Sequence, residues 1–280
     1  MNKPRILLLY TGGTIGMIHN EKTGRLRPFN VTRLMDAIPE LDQLHCELVI
    51  DSLDDPIDSS NMTPEHWEKL AGQIERSYDR FDGFVILHGS DTMAYTASAL
   101  SFMLQGLSKP VILTGSQLPV GVLRSDAREN LLTAIEIAGH TTAGMATVPE
   151  VCIYFEYSLY RGNRAQKFNS ENFEAFLSVN YPTLAVAGVS IRFDHAAIQT
   201  VPLDTPFKVH YGFDTSLAVV RLFPGFDPTI RLNTAKSPEL KALIIETYGA
   251  GNAPNNDEFN NVVADIINRG THVINITQCK

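Results

Sequence analysis

The sequence is short of cysteine, of positive charge and of long apolar runs, and each shortage excludes something. Among 280 residues only three are cysteine, Cys46, Cys152 and Cys279. An odd count at wide spacing provides neither a disulfide framework nor a metal-ligand pattern. Buried free thiols in a reducing compartment are the expectation, which places the chain in the cytoplasm. Lys and Arg total 23 against 31 Asp and Glu, a formal net charge of -8. A nucleic-acid binder carries a basic surplus or a basic stripe. Here the densest basic cluster is Arg25, Arg27 and Arg33, too sparse to track phosphates, so no nucleic-acid partner is expected. No stretch approaches the ~20 apolar residues of a membrane span. The run Ile6–Tyr10 is too short for a signal-peptide core and enters a glycine turn, so no membrane partner is expected either. The histidines show no HExxH and no clustering with cysteine, which leaves no metal motif. A GxSxG elbow is also missing, which disfavours serine-hydrolase chemistry of that type.

What remains is ordinary globular material, 44% hydrophobic and 19% charged, with enough apolar residues for a sizeable core. The length suggests about two domains. Short apolar runs alternate with helical patterns. Strands are expected at Arg5–Tyr10, Cys46–Leu53, Gly83–His88, Pro110–Thr114 and Val151–Phe155. Helices are expected at Val31–Ile38, from Thr63 to about Tyr78, from about Thr92 to Leu104 and at Arg124–Ala138. Pro64 behind Thr63 is a helix-start signal. Strands with nearly continuous apolar character, alternating with helices, predict a parallel, doubly wound α/β sheet covered on both faces.

From about Tyr181 the pattern loosens. An N-terminal domain over 1–189, a linker over 190–212 and a smaller α/β domain over 213–280 are expected. The second domain has strands at Ser216–Phe223, Lys241–Tyr248 and Thr271–Thr277, with a helix from about Asn256 to Arg269 and a C-cap at Gly270. The last strand falls close to Lys280, with no following helix to cover its face, so this domain is expected to be incomplete.

In open parallel sheets, ligands bind at the carboxyl ends of the strands. Four successive ends carry hydroxyls beside Gly or Asp: Thr11-Gly12-Gly13-Thr14, Asp58-Ser59-Ser60, Gly89-Ser90-Asp91-Thr92 and Gly115-Ser116-Gln117. Each could be a plain turn or cap, yet all four lie on one sheet edge. Gly12-Gly13-Thr14-Ile15-Gly16 also approaches a dinucleotide fingerprint, with Asp51 as the ribose acid, but Thr11 stands where the first Gly belongs. A hydroxyl nucleophile needs a base, and Asp91 and Lys167 are candidates. Spacing alone does not choose between that role and a capping Asp with a solvated Lys.

At these same residues the sequence resembles the L-asparaginases of the bacterial cytoplasmic type I group. Tyr10–Met17 and Gly83–Leu104 match the two family signatures, and Leu159–Arg164, Tyr248–Pro254 and Asn275–Cys279 match in the same order. The resemblance implies hydrolysis of L-asparagine to L-aspartate and ammonia, without metal or cofactor, through a β-acyl enzyme on Thr14. It implies a proton-handling group of Ser90, Asp91 and Lys167. Asp58, Ser59 and Ser60 would bind the α-amino and α-carboxyl groups, with Asp91 also on the ammonium. Asn252 would reach a neighbouring subunit's site, because the family pairs protomers into dimers, often dimers of dimers.

The chain departs from that pattern in four places. Ser90 stands where the family usually has Thr, which keeps the hydroxyl and loosens its rotamer. Ile18–Phe29 holds no Tyr, although the loop after the nucleophile often carries one, and Arg25 lies near that place. Family members run on beyond the position of Lys280, into a part that helps close the partner's site. Glu246 falls near the Arg of a regulatory asparagine site found in some members, which argues against that regulation. The alternatives are therefore a catalytically weak or silent member, a dinucleotide-binding oxidoreductase using Gly12–Gly16, and a relative that deamidates aminoacyl-tRNA. The charge of -8 shows no tRNA surface.

Overall fold

The run RILLLYTG forms the first strand, β1 (Arg5–Gly12), and almost all of it is buried. Such a run is stable only with both of its faces covered. Ile6, Leu8 and Tyr10 point into one core, and Leu7 and Leu9 into another. A computed structural model describes residues 3–19, 26–28, 37–202, 204–232 and 237–280 of the chain. It divides into two units, 1–211 and 212–280.

In the larger unit, β2 (Glu47–Ile57), β3 (Gly83–Leu87), β4 (Val111–Thr114) and β5 (Val151–Phe155) join β1 in parallel, in the order β5-β4-β3-β1-β2. Helices α1 (Pro64–Ser77) and α2 (Met93–Met103) pack one face, through Leu70, Ile74, Ala97 and Leu100. Helix α3 (Ala127–Gly139) packs the other, through Leu131, Ala134 and Ile135. The start of α1 is fixed by His66, whose Nδ1 accepts from the Thr63 backbone N–H at 3.1 Å.

The sheet is mixed, which corrects the all-parallel expectation. It continues through β6 (Ser158–Arg161), β7 (Ala185–Ala187) and β8 (Ile191–Phe193), each antiparallel to its neighbour. The cause is local. Glu156 and Tyr157 both adopt positive φ, 43° and 66°, which two-residue type I′ hairpin turns require. The chain therefore reverses after β5 instead of crossing over. The segment 190–212, expected as a linker, contains β8, and Lys208–Val209 pairs with Leu104–Gln105. The helix expected at Val31–Ile38 lies largely outside the described residues.

In the smaller unit, β9 (Leu217–Arg221), β10 (Ala242–Thr247) and β11 (His272–Thr277) form a parallel sheet. Helix α4 (Asp257–Asn268) covers one face through Phe259 and Ile266. The Asn256 side chain caps it by accepting from the Phe259 N–H at 2.8 Å. The expectation of buried thiols holds only in part. Cys152 is buried, Cys46 is half-buried and Cys279 is exposed. Among the described residues no helix is long and apolar enough to cross a membrane.

Candidate active site

The carboxyl ends of β1, β2 and β3 meet through missing side chains. A β-carbon on Gly13 (φ 88°) would fall 2.6 Å from the Gly89 backbone nitrogen, and one on Gly89 would fall 2.5 Å from Ser59 Oγ. Only glycine permits backbones this close. The pairing of β1 with β2 also slips between Tyr10 and Gly12, so that Gly12 faces Ile57, next to Asp58. Thr14, half-buried, begins the single 3-10 turn Thr14–Gly16 directly after this junction. The Gly16 carbonyl accepts from the Tyr10 hydroxyl at 3.2 Å, which ties the end of that turn to β1.

Several hydroxyls at the strand ends are spent on backbone. Thr11 Oγ1 donates to the Leu87 carbonyl at 2.9 Å, Thr114 Oγ1 to Tyr154 at 2.9 Å and Ser116 Oγ to Leu118 at 2.6 Å. Ser90 is different. It is buried, and Lys167 Nζ donates to its Oγ at 2.9 Å. The same ammonium reaches Asp91 Oδ1 at 2.7 Å. Asp91 leaves 67% of its side chain open while Lys167 leaves 18%, so the carboxylate is accessible and the amine is sheltered. Lys167 is held by a short antiparallel pairing in which it faces buried Phe176.

Sequence reasoning named Gln117 only as a loop residue. The structure gives it a contact with Ser90, whose hydroxyl donates to Gln117 Oε1 at 3.3 Å. The amide is oriented by its own Nε2, which donates to the Asn172 carbonyl at 3.1 Å. Beneath it, the buried Asp126 carboxylate accepts from the backbone N–H groups of Gln117 and Leu118 at 2.9–3.1 Å. The only sequence signal for this was the strand end Gly115-Ser116-Gln117.

His88 lies fully buried below the same turn. Its Nδ1 is 2.8 Å from the Gly89 carbonyl oxygen, and its Nε2 is 2.8 Å from Thr96 Oγ1. Burial pushes its pKa down to about 4, so the ring is neutral at ordinary pH. A carbonyl only accepts, so Nδ1 carries the proton and Nε2 accepts from Thr96. The Thr96 oxygen in turn accepts from the Trp67 indole N–H at 3.0 Å.

Of the expected substrate-binding residues, Ser59 is buried, and its carbonyl accepts from Thr92 Oγ1 at 2.7 Å. Asp58 and Ser60 are exposed, and the Asp58 carboxylate accepts from the Ser60 N–H at 3.0 Å. Thr14, Asp58, Ser59, Ser60, Ser90, Asp91 and Lys167 all belong to the larger unit, at or beside its strand ends. Asn252 belongs to the smaller unit, where it closes a tight turn by bridging to Tyr248. Arg25 lies outside the described residues.

The dinucleotide reading fails on this geometry. Gly12–Gly16 leads into one 3-10 turn and then the strand Met17–His19, so there is no helix N-terminus to receive a pyrophosphate. Asp51 is engaged elsewhere, accepting from Gln73 Nε2 at 2.5 Å. Among the described residues no group of His, Cys, Asp and Glu is placed to hold a metal ion.

Comparison with known proteins shows which family the chain resembles along its length. The model of the asparaginase N-terminal domain matches residues 5–199, and that of the glutaminase/asparaginase C-terminal domain matches residues 216–280. The chain is 42% identical over 283 residues to L-asparaginase 1 of Escherichia coli, covering all of this chain and 81% of that protein. It is 36% identical over 299 residues to the mouse 60 kDa lysophospholipase, covering 98% of this chain and 51% of that one. The crystal structure of L-asparaginase I from Vibrio cholerae superposes with a TM-score of 0.89 at 39% identity, over 99% of this chain and 82% of that one.

Proposed function

Because the chain belongs to the asparaginase family of amidohydrolases, in its type I branch, we propose that it hydrolyses L-asparagine to L-aspartate and ammonia through an acyl-enzyme on Thr14. The observation that carries this is the Lys167–Ser90–Asp91 group, built at the strand edge where the Gly13–Thr14 loop packs on Gly89. Thr14 Oγ attacks the side-chain amide carbon. Its proton passes by way of the Ser90 and Lys167 group to the departing nitrogen, which leaves as ammonia. Water then adds to the ester carbon, the C–Oγ bond breaks, and Thr14 recovers its proton as aspartate leaves.

The substrate is a small zwitterion. Its ammonium needs a carboxylate, and Asp91 and Asp58 are both open to solvent. Its carboxylate needs donors, which Ser59, Ser60 and loop N–H groups supply. The oxyanion needs preorganised backbone donors, which the Gly89–Asp91 turn offers. Asn252 contributes to a neighbouring protomer's site in a self-associated dimer or dimer of dimers. Glu246, set 4.0 Å from Arg221, stands in place of a regulatory cation, so the rate rises hyperbolically with asparagine. A reducing, cytoplasmic setting fits the three unpaired cysteines.

The test is ammonia release from L-asparagine, with L-glutamine beside it. Release from asparagine supports the reading. A folded protein that releases none favours a silent family member.

A further inference from the structure

We propose that His88 is a positioning residue for this reaction: its Nδ1–H holds the Gly89 carbonyl inward and so aims the Ser90 backbone N–H at the oxyanion. The inference rests on the asparaginase reading and adds to it a residue that does not touch the substrate.

The peptide joining Gly89 and Ser90 carries both groups, the carbonyl and the N–H. The described chain contains no cis peptide, so the Gly89 C=O and the Ser90 N–H point in opposite directions. The carbonyl is fixed at 2.8 Å from His88 Nδ1, in the core. The N–H is therefore directed away from the imidazole. The preceding peptide, between His88 and Gly89, lies under the nucleophile loop, since the space a Gly13 β-carbon would need is filled by the Gly89 nitrogen and α-carbon and the His88 carbonyl carbon. Turning the Gly89–Ser90 peptide over would withdraw the donor.

The imidazole is itself held by a directional chain. The indole N–H of Trp67 can only donate, so it takes a lone pair of Thr96 Oγ1 at 3.0 Å. Because the Gly89 carbonyl only accepts, Nδ1 carries the ring proton, and the Thr96 hydroxyl donates to the Nε2 lone pair at 2.8 Å. Helices α1 and α2, which carry Trp67 and Thr96, thus hold the far nitrogen of a residue at the end of β3. A structural histidine would need only satisfied nitrogens. This one is satisfied in the one tautomer that donates to a carbonyl of the catalytic turn.

The experiment compares kcat and KM for L-asparagine in wild type, His88→Phe and His88→Asn. An Asn amide nitrogen reproduces the Nδ1 position, whereas Phe has no donor. Losing an aimed oxyanion donor should lower kcat of His88→Phe on the order of 100-fold with little change in KM, and His88→Asn should recover most of it. Separately, the imidazole nitrogen-15 shifts of wild type should show the neutral Nδ1–H tautomer throughout neutral pH. That readout stands even where His88→Phe does not fold. An active wild type with an unimpaired His88→Phe, an Asn variant as poor as a folded Phe variant, or an Nε2–H tautomer would overturn the inference alone. A folded wild type that releases no ammonia would overturn the reaction and this inference with it.

Discussion

Lys167 Nζ sits 2.9 Å from Ser90 Oγ, although 77 positions separate the two residues in the chain. The Ser90 hydroxyl therefore has both of its roles assigned, accepting from Lys167 and donating to Gln117. The amine that grips it is mostly sheltered, while the Asp91 carboxylate that shares the amine is open.

Lys167→Met keeps the length of the side chain and removes its three donors. The expected result is a fall in kcat of roughly 100-fold or more, as for loss of a group that moves protons, with the far-UV spectrum unchanged. Steady-state kinetics beside circular dichroism checks this. A rate within about twofold of wild type would return Lys167 to a structural ion pair.

Gly89→Ala tests the junction of the three loops. The new methyl would stand 2.5 Å from Ser59 Oγ, so either Ser59 or the turn must move. Catalysis should fall by about 100-fold, since displacement of about 1 Å costs that much in a positioned site. Substrate titration should show KM rising as well, because Ser59 is displaced. Wild-type kinetics would mean that the loops do not act as one unit.

Much of this was legible in the sequence, and the reasons are particular. Val151–Phe155 and Ala242–Thr247 are apolar runs with few alternatives, so periodicity located them. The residues Thr14, Ser90 and Asp91 could be named because strand ends and motif resemblance coincide there, and Lys167 because it follows the turn in Leu159–Lys167 and aligns with the family's group. The turn at Glu156–Tyr157 could not be read, because positive φ usually announces itself with Asn or Gly, and neither is present. The antiparallel half of the sheet was missed for that reason. Gln117 and Asp126 stayed silent because their roles are tertiary, made by side chains and backbone groups that only the folded loop brings together. His88 was noticed, but its partners Thr96 and, through it, Trp67 are linked to it by no local pattern.

Glu150 supplies a stability test away from the site. It is buried, pairs with Arg161 Nε at 2.6 Å and accepts from the Gln199 N–H at 2.8 Å. Arg161 also donates to the Ala197 carbonyl at 3.0 Å. Glu150→Gln leaves the guanidinium without its counter-charge, which should cost roughly 2 to 4 kcal/mol. Denaturant unfolding measures it. A loss below about 0.5 kcal/mol would place the pair among inconsequential contacts.

His88 also sets a pH dependence of stability. Its pKa is about 4 when folded, against 6.5 for the free side chain. Between those values the unfolded chain binds a proton that the folded chain refuses. Its contribution is thus complete above pH 6.5 and declines as pH falls toward about 4, by about 3 kcal/mol in all. Unfolding free energies of wild type should drop more steeply over that window than those of His88→Asn. Parallel curves would mean that His88 titrates normally in the folded protein.

If Thr14 is the nucleophile of an asparagine hydrolase, ammonia release from L-asparagine by wild type and Thr14→Ala will separate the two proteins. Thr14→Ala removes one hydroxyl and one methyl from a half-buried turn, so the fold should survive. Release by wild type that vanishes in a folded Thr14→Ala is the predicted result. Equal release by both proteins would contradict the mechanism.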